Sequence, residues 1–375
     1  MKMAQEFTAQ VVLDSLNEGV YVTDPQRTIL YWGLGAERIT GWPAREVIGK
    51  QCHDGVLCHI DKDGRLLCGE EQCPLHRSIV TGKCSTAPAV VFAQTRDGGR
   101  VPLRVHVAPL RNEVGEVIGG VECFQDMTLE MADIERARKI QALSSQQELP
   151  VDPRIRFTAH YVPQDTIGGD YRSVTRITAD QYGFVIADVS GHGVPAALYT
   201  MFLSSLCASH QSLLTRPAAF AGVVGDQLDE LIQETQPFAA ALCGVFDLGR
   251  GELRFVAAGN PLPLVARADG SWEQPPGGGL PLGMMRGAEY EQIVVPLHAG
   301  DAVLFFTDGA TEIPVGDGDE LLGPEGLLRI LQAAGYPALN VSFDDIGSRL
   351  LAASNRICFD DDLTFLSVQI QTLGH

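Results

Sequence analysis

The chain of 375 residues is long enough for two or three domains, and an apolar content of 45% lets each bury a core of its own. A formal charge of −19 repels phosphate backbones, so no nucleic-acid partner is expected; the acidity serves plain solubility, or some carboxylates are gathered to hold cations. No apolar run approaches the length of a membrane span and residues Met1–Phe7 lack the pattern of a secretory leader, so no membrane association and a cytoplasmic protein are expected.

The first segment, residues 9–127, begins with a helical stretch at Ala9–Leu16. Two strands follow at Gly19–Thr23 and Thr28–Trp32, joined by a turn at Asp24-Pro25-Gln26-Arg27. Short helical pieces come next, broken at Gly41-Trp42-Pro43 before Ala44–Ile48. Strand-like runs at Ala89–Thr95, Val101–Leu110 and Val117–Gln125 close the segment, the last two connected by a hairpin signal around Asn112–Glu116. This order, with EGVYVTD at Glu18–Asp24, ITGWPAREVIGK at Ile39–Lys50, RDGGRVPLRV at Arg96–Val105 and the closing Asp126-Met127-Thr128, resembles a PAS sensor domain. The resemblance implies that Asp126-x-Thr128 ties the last strand to an outgoing helix.

Five of the nine cysteines fall between Cys52 and Cys84, in a stretch that also holds His53, His59 and His76. In a reducing compartment these are thiols or ligands rather than disulfides. Cys52, Cys58, Cys68 and Cys73 are the candidate sensor ligands, although their spacing matches no standard zinc or ferredoxin pattern. Three readings stay open: buried structural thiols, a bound metal or iron–sulfur cluster, and a redox-responsive pair. The PAS ligand is therefore unknown. Cys84, Cys123, Cys207, Cys243 and Cys358 read as small core residues.

Residues 128–149 form a helix whose apolar positions Leu129, Ala132, Ile134, Ala137, Ile140 and Leu143 make an imperfect seam. It is either a plain linker helix or a dimerising signal helix; the second reading is preferred, and with it a homodimer through the PAS domain and this helix is expected. Pro150 and Pro153 end it.

The third segment, residues 150–372, alternates strands and helices. Strands are expected at Phe157–Tyr161, Tyr182–Ala187, Ala240–Asp247, Glu252–Ala258, Leu262–Arg267, Glu291–Pro296, Ala302–Thr307 and Leu363–Ile370, with helices at Pro195–His210, Pro217–Thr235, Pro324–Ala334 and Asp344–Ala353. The pattern predicts an α+β class fold, two sheets with paired helices outside. Several strands run into acids: Phe184–Ala187 into Asp188, Val303–Phe306 into Thr307-Asp308-Gly309, and Ile167-Gly168-Gly169 leads into Asp170, while Asp360-Asp361-Asp362 precede Leu363. A carboxylate at a strand end sits at a fixed point, and an adjacent glycine lets other groups approach. Carboxylates forced together repel unless a cation neutralises them, and Mg²⁺ or Mn²⁺ suit such oxygen donors. Two such ions can ready a water for attack on phosphorus. Phosphatase, phosphodiesterase and nuclease chemistries all remain open on this ground.

The ordered set GGDYRSV, ADVSGHGVPAAL, AGNPLPL, FTDGATE and DDDLTFLSV resembles the SpoIIE/RsbU branch of the metal-dependent (PPM-type) serine/threonine protein phosphatases, over roughly Arg138–Ile370. The resemblance implies an α/β–β/α sandwich with two Mn²⁺ or Mg²⁺. In it Asp188 bridges both ions, the Val189 carbonyl holds one, and Asp308 and Asp361 hold the other. Asp170 acts directly or through water, and Gly169 and Gly309 keep the backbone close. It further implies phosphoserine or phosphothreonine on a STAS-type anti-anti-sigma partner as substrate, in a pathway that controls a sigma factor.

Three departures qualify this. Ser173 stands where the family often has a second acid, Asn260 stands where it often has His, and the general acid is unassigned, with His192 a candidate. Arg172 either contacts phosphate or faces solvent, and the second is expected. The alternative to an active enzyme is a pseudophosphatase adaptor that binds the same partner.

Overall fold

The computed structural model describes residues 9–62, 64–68, 72–84, 89–145, 148–164, 166–191, 193–231, 237–315, 320–338, 340–354, 356 and 358–373. The chain divides into two compact units, Met1–Asp133 and Ile134–His375. Among the described residues, no helix is long and apolar enough to cross a membrane.

In the first unit α1 (Ala9–Asp14) precedes β1 (Gly19–Thr23) and β2 (Ile29–Trp32). Three helices follow, α2 (Leu34–Thr40), α3 (Ala44–Val47) and α4 (Pro74–Thr81), then β3 (Ala89–Gln94), β4 (Arg100–Arg111) and β5 (Val117–Asp126). The sheet order is β2-β1-β5-β4-β3, so β5 is central. Tyr21, Val105, Val107 and Phe124 on its inner face are buried under Val56, Leu57, Leu75 and Ile79. Close approach needs glycine at Gly120, where a Cβ would stand 2.7 Å from Leu75 Cδ1 on α4. The Asp126 carboxylate accepts from the Thr128 amide at 2.8 Å and its hydroxyl at 2.5 Å, which caps α5 (Thr128–Ser145) as the PAS resemblance implies. Leu129 and Ile140 of the expected seam are exposed, at 78% and 55%.

The second unit contains two five-stranded sheets. One has the order β13-β10-β9-β8-β7, from β7 (Asp170–Arg176), β8 (Gln181–Val189), β9 (Ala239–Asp247), β10 (Glu252–Ala258) and β13 (Ile293–Pro296). The other has the order β12-β11-β14-β15-β6, from β6 (Ile155–Val162), β11 (Leu264–Ala266), β12 (Trp272–Glu273), β14 (Ala302–Phe306) and β15 (Leu363–Ile370). Strands buried on both faces read as continuous apolar runs, which explains Tyr182–Val189 and Ala302–Phe306. One face of each sheet supplies a shared aromatic core in which Phe184 and Phe305 meet with ring centroids 4.4 Å apart. The opposite face of the first sheet packs on α6 (Gly193–Ser209) and α7 (Pro217–Leu231). That of the second packs on α8 (Gly323–Ala334) and α9 (Phe343–Ser354). The result is the α+β arrangement expected from the strand and helix order. It adds β7 and β12, which were not anticipated.

Two glycines test the packing in opposite directions. Gly244 on β9 lies where a Cβ would stand 2.3 Å from the Arg254 carbonyl oxygen, whereas Gly222 on α7 has open space around it. Gly244→Ala is expected to destabilise the protein by about 2 kcal/mol or more, and Gly222→Ala to stabilise it by about 0.5–1 kcal/mol. Urea denaturation of the full chain reads both; equal midpoints would contradict this packing.

Candidate active site

Antiparallel pairing of β7 and β8 sets Asp170 directly opposite Asp188. Residues facing each other in this way project from the same side of the sheet. For this pair it is the side that carries Val174, Phe184 and Ile186 into the aromatic core, so both carboxylates lie between the two sheets. Across the gap, Phe306 pairs with Phe365, which puts the segments after β14 and before β15 at the same end. Those segments carry Asp308 and Asp361.

Asp170 is 8% exposed, and its Oδ2 accepts hydroxyl hydrogen bonds from Thr307 at 2.9 Å and Thr364 at 2.5 Å, both on the opposite sheet. Its Oδ1 is buried with no protein partner. The residue that holds this loop is Asp362. Its carboxylate accepts the Gly169 amide at 2.6 Å, the Gln164 amide at 2.7 Å, the Asp170 amide at 3.3 Å and the Tyr161 hydroxyl at 3.3 Å. Gly168 and Gly309 are required by contact. A Cβ on Gly168 would stand 1.9 Å from Tyr161 Oη, and one on Gly309 would stand 2.0 Å from the Asp362 carbonyl oxygen. At Gly169 a Cβ would come within 2.8 Å of the Val189 carbonyl oxygen, so that carbonyl lies at the same loop.

The charges confirm the convergence. Burial, then the charges of Asp308, Asp361, Asp362 and Glu312, push Asp188 up to about 7. Burial, then Asp361 and Glu312, push Asp308 up to about 6. Asp170 is raised well above the carboxylate range by burial and then by Asp188. Among the described residues no three His, Cys, Asp or Glu side chains already close on one point as a ready-made cage. The set still fits divalent cations: its donors are carboxylate and carbonyl oxygens only, Asp170 keeps a buried acceptor unused, and glycines clear the approach.

The structure thus brings Asp170, Asp188, Val189, Asp308 and Asp361 together. Sequence reasoning missed Asp362 and Glu312 as members, although both lie in the motifs DDDLTFLSV and FTDGATE. The alternation of β7 turns Ser173 to the opposite face from Asp170, where it meets Tyr171 near Ser204 and Cys207, so the missing second acid is not a loss from this cluster. Arg172 does not face solvent as expected. It is half-buried, with its guanidinium 5.7 Å from the Tyr161 ring centroid. Together with Asp170, Tyr161, Gly168, Gln141 and Arg138 it lines a cavity of about 290 Å³. Asn260 is a tie, donating to the Phe306 carbonyl at 2.8 Å. His192 lies outside the described residues. Gln141, on the last turns of α5, donates to the Gly168 carbonyl at 2.7 Å.

In the first unit, Cys52, Cys68 and Cys73 are buried in one neighbourhood, and Cys58 is half-buried with its thiol directed at the His53 carbonyl. Cys207 and Cys243 are core residues as expected; Cys84 and Cys358 are exposed instead, and Cys123 is half-buried against Glu18.

Residues 178–371 match the family model described as Stage II sporulation protein E (SpoIIE), and residues 13–131 match the one described as PAS fold. The chain is 26% identical over 183 residues to phosphoserine phosphatase RsbP of Bacillus subtilis (strain 168), covering 48% of this chain and 45% of that protein. To phosphoserine phosphatase RsbU of the same strain it is 23% identical over 182 residues, covering 48% and 54%. It spans about half the length of these curated relatives. Among solved structures, the RsbU and RsbW domains of Rv1364c from Mycobacterium tuberculosis superpose with a TM-score of 0.52 at 25% identity, over 62% of this chain and 64% of that one. The SiaA-PP2C domain of Pseudomonas aeruginosa gives 0.54 at 22% identity, over 65% and 98%, a likeness of fold.

The raised carboxyls carry a stability prediction. A carboxyl whose folded pKa lies above its unfolded value stabilises the fold below the unfolded value and loses that contribution as pH rises through the folded one. In a chelator the second unit is therefore expected to lose stability between about pH 4 and 7, the window of Asp188 and Asp308. Mn²⁺ is expected to restore it, by an increment that grows with pH. Thermal midpoints at pH 5 and 7.5, with and without Mn²⁺, check the sign; a metal increment independent of pH would contradict it.

Proposed function

Because the chain belongs to the SpoIIE family and carries a PAS fold ahead of that domain, we propose that it is a metal-dependent phosphoprotein phosphatase whose output is set by its sensor. The observation that supports this best is the convergence of Asp170, Asp188, Asp308 and Asp361 between the two sheets, with charge repulsion that a cation would relieve. In this reading Asp188, the Val189 carbonyl, Asp308 and Asp361 would hold divalent cations, Mn²⁺ or Mg²⁺, with Asp170 beside them. Bound there, the ions supply an activated water and neutralise the phosphoryl oxygens. Asp170 Oδ1 would be the acceptor left to meet an ion or its water, since Oδ2 is occupied by Thr307 and Thr364. Asp362 positions Asp170 without touching substrate.

The substrate in this reading is phosphoserine or phosphothreonine on a STAS-type anti-anti-sigma protein, met in the cytoplasm, with the chain acting as a homodimer through the PAS domain and linker helix. The relatives named phosphoserine phosphatase support the phosphoserine part. Release of phosphate from a phosphorylated STAS protein and from p-nitrophenyl phosphate, dependent on Mn²⁺, is expected, with Asp188→Ala lowering both about a hundredfold or more. A protein that retains the phosphorylated partner but releases no phosphate would be the adaptor instead.

Regulation is proposed to run through α5. Gln141 holds the Gly168 carbonyl two residues before Asp170, so a shift of that helix moves the loop that carries the acid. Gln141→Ala is expected to weaken Mn²⁺ activation several-fold by loosening the loop that carries Asp170. An unchanged Mn²⁺ dependence would remove this route.

A further inference from the structure

The half-buried arginines of the second unit do not all behave alike. Arg154 meets Asp152 at 2.8 Å, Arg254 meets Asp247 at 3.4 Å and Arg267 meets Asp301 at 2.6 Å. Arg172, also half-buried, has no carboxylate or other hydrogen-bond acceptor among the described residues; its guanidinium rests 5.7 Å from the Tyr161 ring centroid. The chain carries 47 acidic side chains against 28 Lys and Arg, so acceptors are not scarce. Taking a cation out of water without a partner is unfavourable, and a guanidinium left in that state is poised for an acceptor that arrives from outside.

Its position says which acceptor. β6 and β7 are the last strands of their sheets, and Tyr161 of one meets Arg172 of the other at that edge. Cross-strand pairing sets Arg172 opposite Ile186 and Asp170 opposite Asp188, so Arg172 leaves β7 on the same inter-sheet side as the acids. Two residues along a strand cover about 7 Å, which makes Arg172 the neighbour of Asp170 on that face. Both line the cavity of about 290 Å³. The groups around them are committed. Gln141 donates to the Gly168 carbonyl at 2.7 Å, the Tyr161 hydroxyl donates to Asp362 at 3.3 Å, and the exposed Arg138 holds Glu135 by two bonds of 2.7 Å. The Arg172 guanidinium and the buried Oδ1 of Asp170 are left without a protein partner. A ligand that satisfies both brings acceptor oxygens to the first and a cation or a proton donor to the second. A phosphoryl group has three oxygens and up to two charges to divide between a divalent cation at the acids and a guanidinium fork.

Granted the phosphatase reading, we propose that Arg172 is a substrate-binding residue whose guanidinium, backed by the Tyr161 ring, takes the phosphoryl oxygens of the phosphorylated substrate and of the phosphate released from it. Arginine suits this place better than lysine, because a guanidinium can lie against an aromatic ring and still present paired donors at its edge.

Titration calorimetry of inorganic phosphate into the full-length protein loaded with Mg²⁺ reads this site without turnover. Arg172→Ala is expected to weaken phosphate about tenfold or more, and Arg172→Lys to weaken it by less, since the charge stays and the fork is lost. In turnover, KM for p-nitrophenyl phosphate and for a phosphoserine protein is expected to rise by the same factor, and by more than kcat falls. A wild-type protein that binds no phosphate would overturn the assignment. So would an Arg172→Ala protein that binds phosphate undiminished, whatever its thermal midpoint, because that is the result of a packing role alone. A rise in KM confined to the protein substrate overturns it as well, placing Arg172 against the polypeptide. Phosphate binding that depends on Arg172 in a wild-type protein without turnover would remove the phosphatase reading and keep the phosphate site. Circular dichroism confirms that each variant read is folded, and Arg172→Lys, which keeps stem and charge, decides alone should the alanine variant not fold.

Discussion

The active-site end of the second unit depends on one carboxylate held from the far side. Asp170 opens β7 in one sheet, yet the hydroxyls that satisfy its Oδ2 belong to Thr307 and Thr364 of the other. Hydrogen bonds to a charged acceptor in a dry site contribute about 1.5–3 kcal/mol each, and losing one leaves a buried oxygen unpaired. The Thr364 amide also donates to Thr307 Oγ1, so the strap is tied to the ladder of the second sheet. Asp362 repeats the device in the opposite direction, reaching from before β15 to the amides of Gly169 and Asp170. Two aspartates and two threonines thus fix the spacing of the sheets at the point where the other acids arrive. The aromatic contact of Phe184 with Phe305 fixes the spacing deeper in.

That rigidity is what makes the charge repulsion useful. Flexible carboxylates would part and let water between them. Here the backbone holds Asp170 and Asp188 in direct cross-strand register, and the protein accepts raised carboxyl pKa values on Asp188 and Asp308. Strain of this kind persists only where the surrounding structure over-determines it. A divalent cation converts the liability into binding energy, and the oxygen-only donor set decides which cations profit.

Much of this was legible in the sequence because strand ends carry chemistry in a readable form. Apolar runs that stop at an acid gave Asp188 and Asp308, and the family resemblance singled out Asp361 among the three acids preceding Leu363. What the sequence hid was direction. Asp170 was read as the end of a glycine turn, and β7 escaped notice because Asp170–Arg176 is polar enough to look like loop. Without that strand, Ser173 could not be seen to point away from the cluster, nor Arg172 to lean on Tyr161. Asp362 was quoted beside Asp361, but adjacent residues point different ways, and only the fold shows that Asp362 is the one that binds amides. The cysteines failed for the converse reason: residue type was plain, but spacing does not say which thiols face inward, and Cys84 and Cys358 proved exposed.

The same accounting separates the two buried acids that matter most. Asp170 has one oxygen fully satisfied and one left over, which is the mark of a group placed by the fold and kept for a second task. Glu122 has less support. Tyr21 is its hydrogen-bonding neighbour, its Oε1 faces the equally unpaired imidazole of His59, and the carboxyl is raised to about 8 by burial. Apolar replacements at such a position would pack against Val107 and Phe124 at lower cost, since burying a polar group without a partner is unfavourable by about 1–3 kcal/mol on mutational scales.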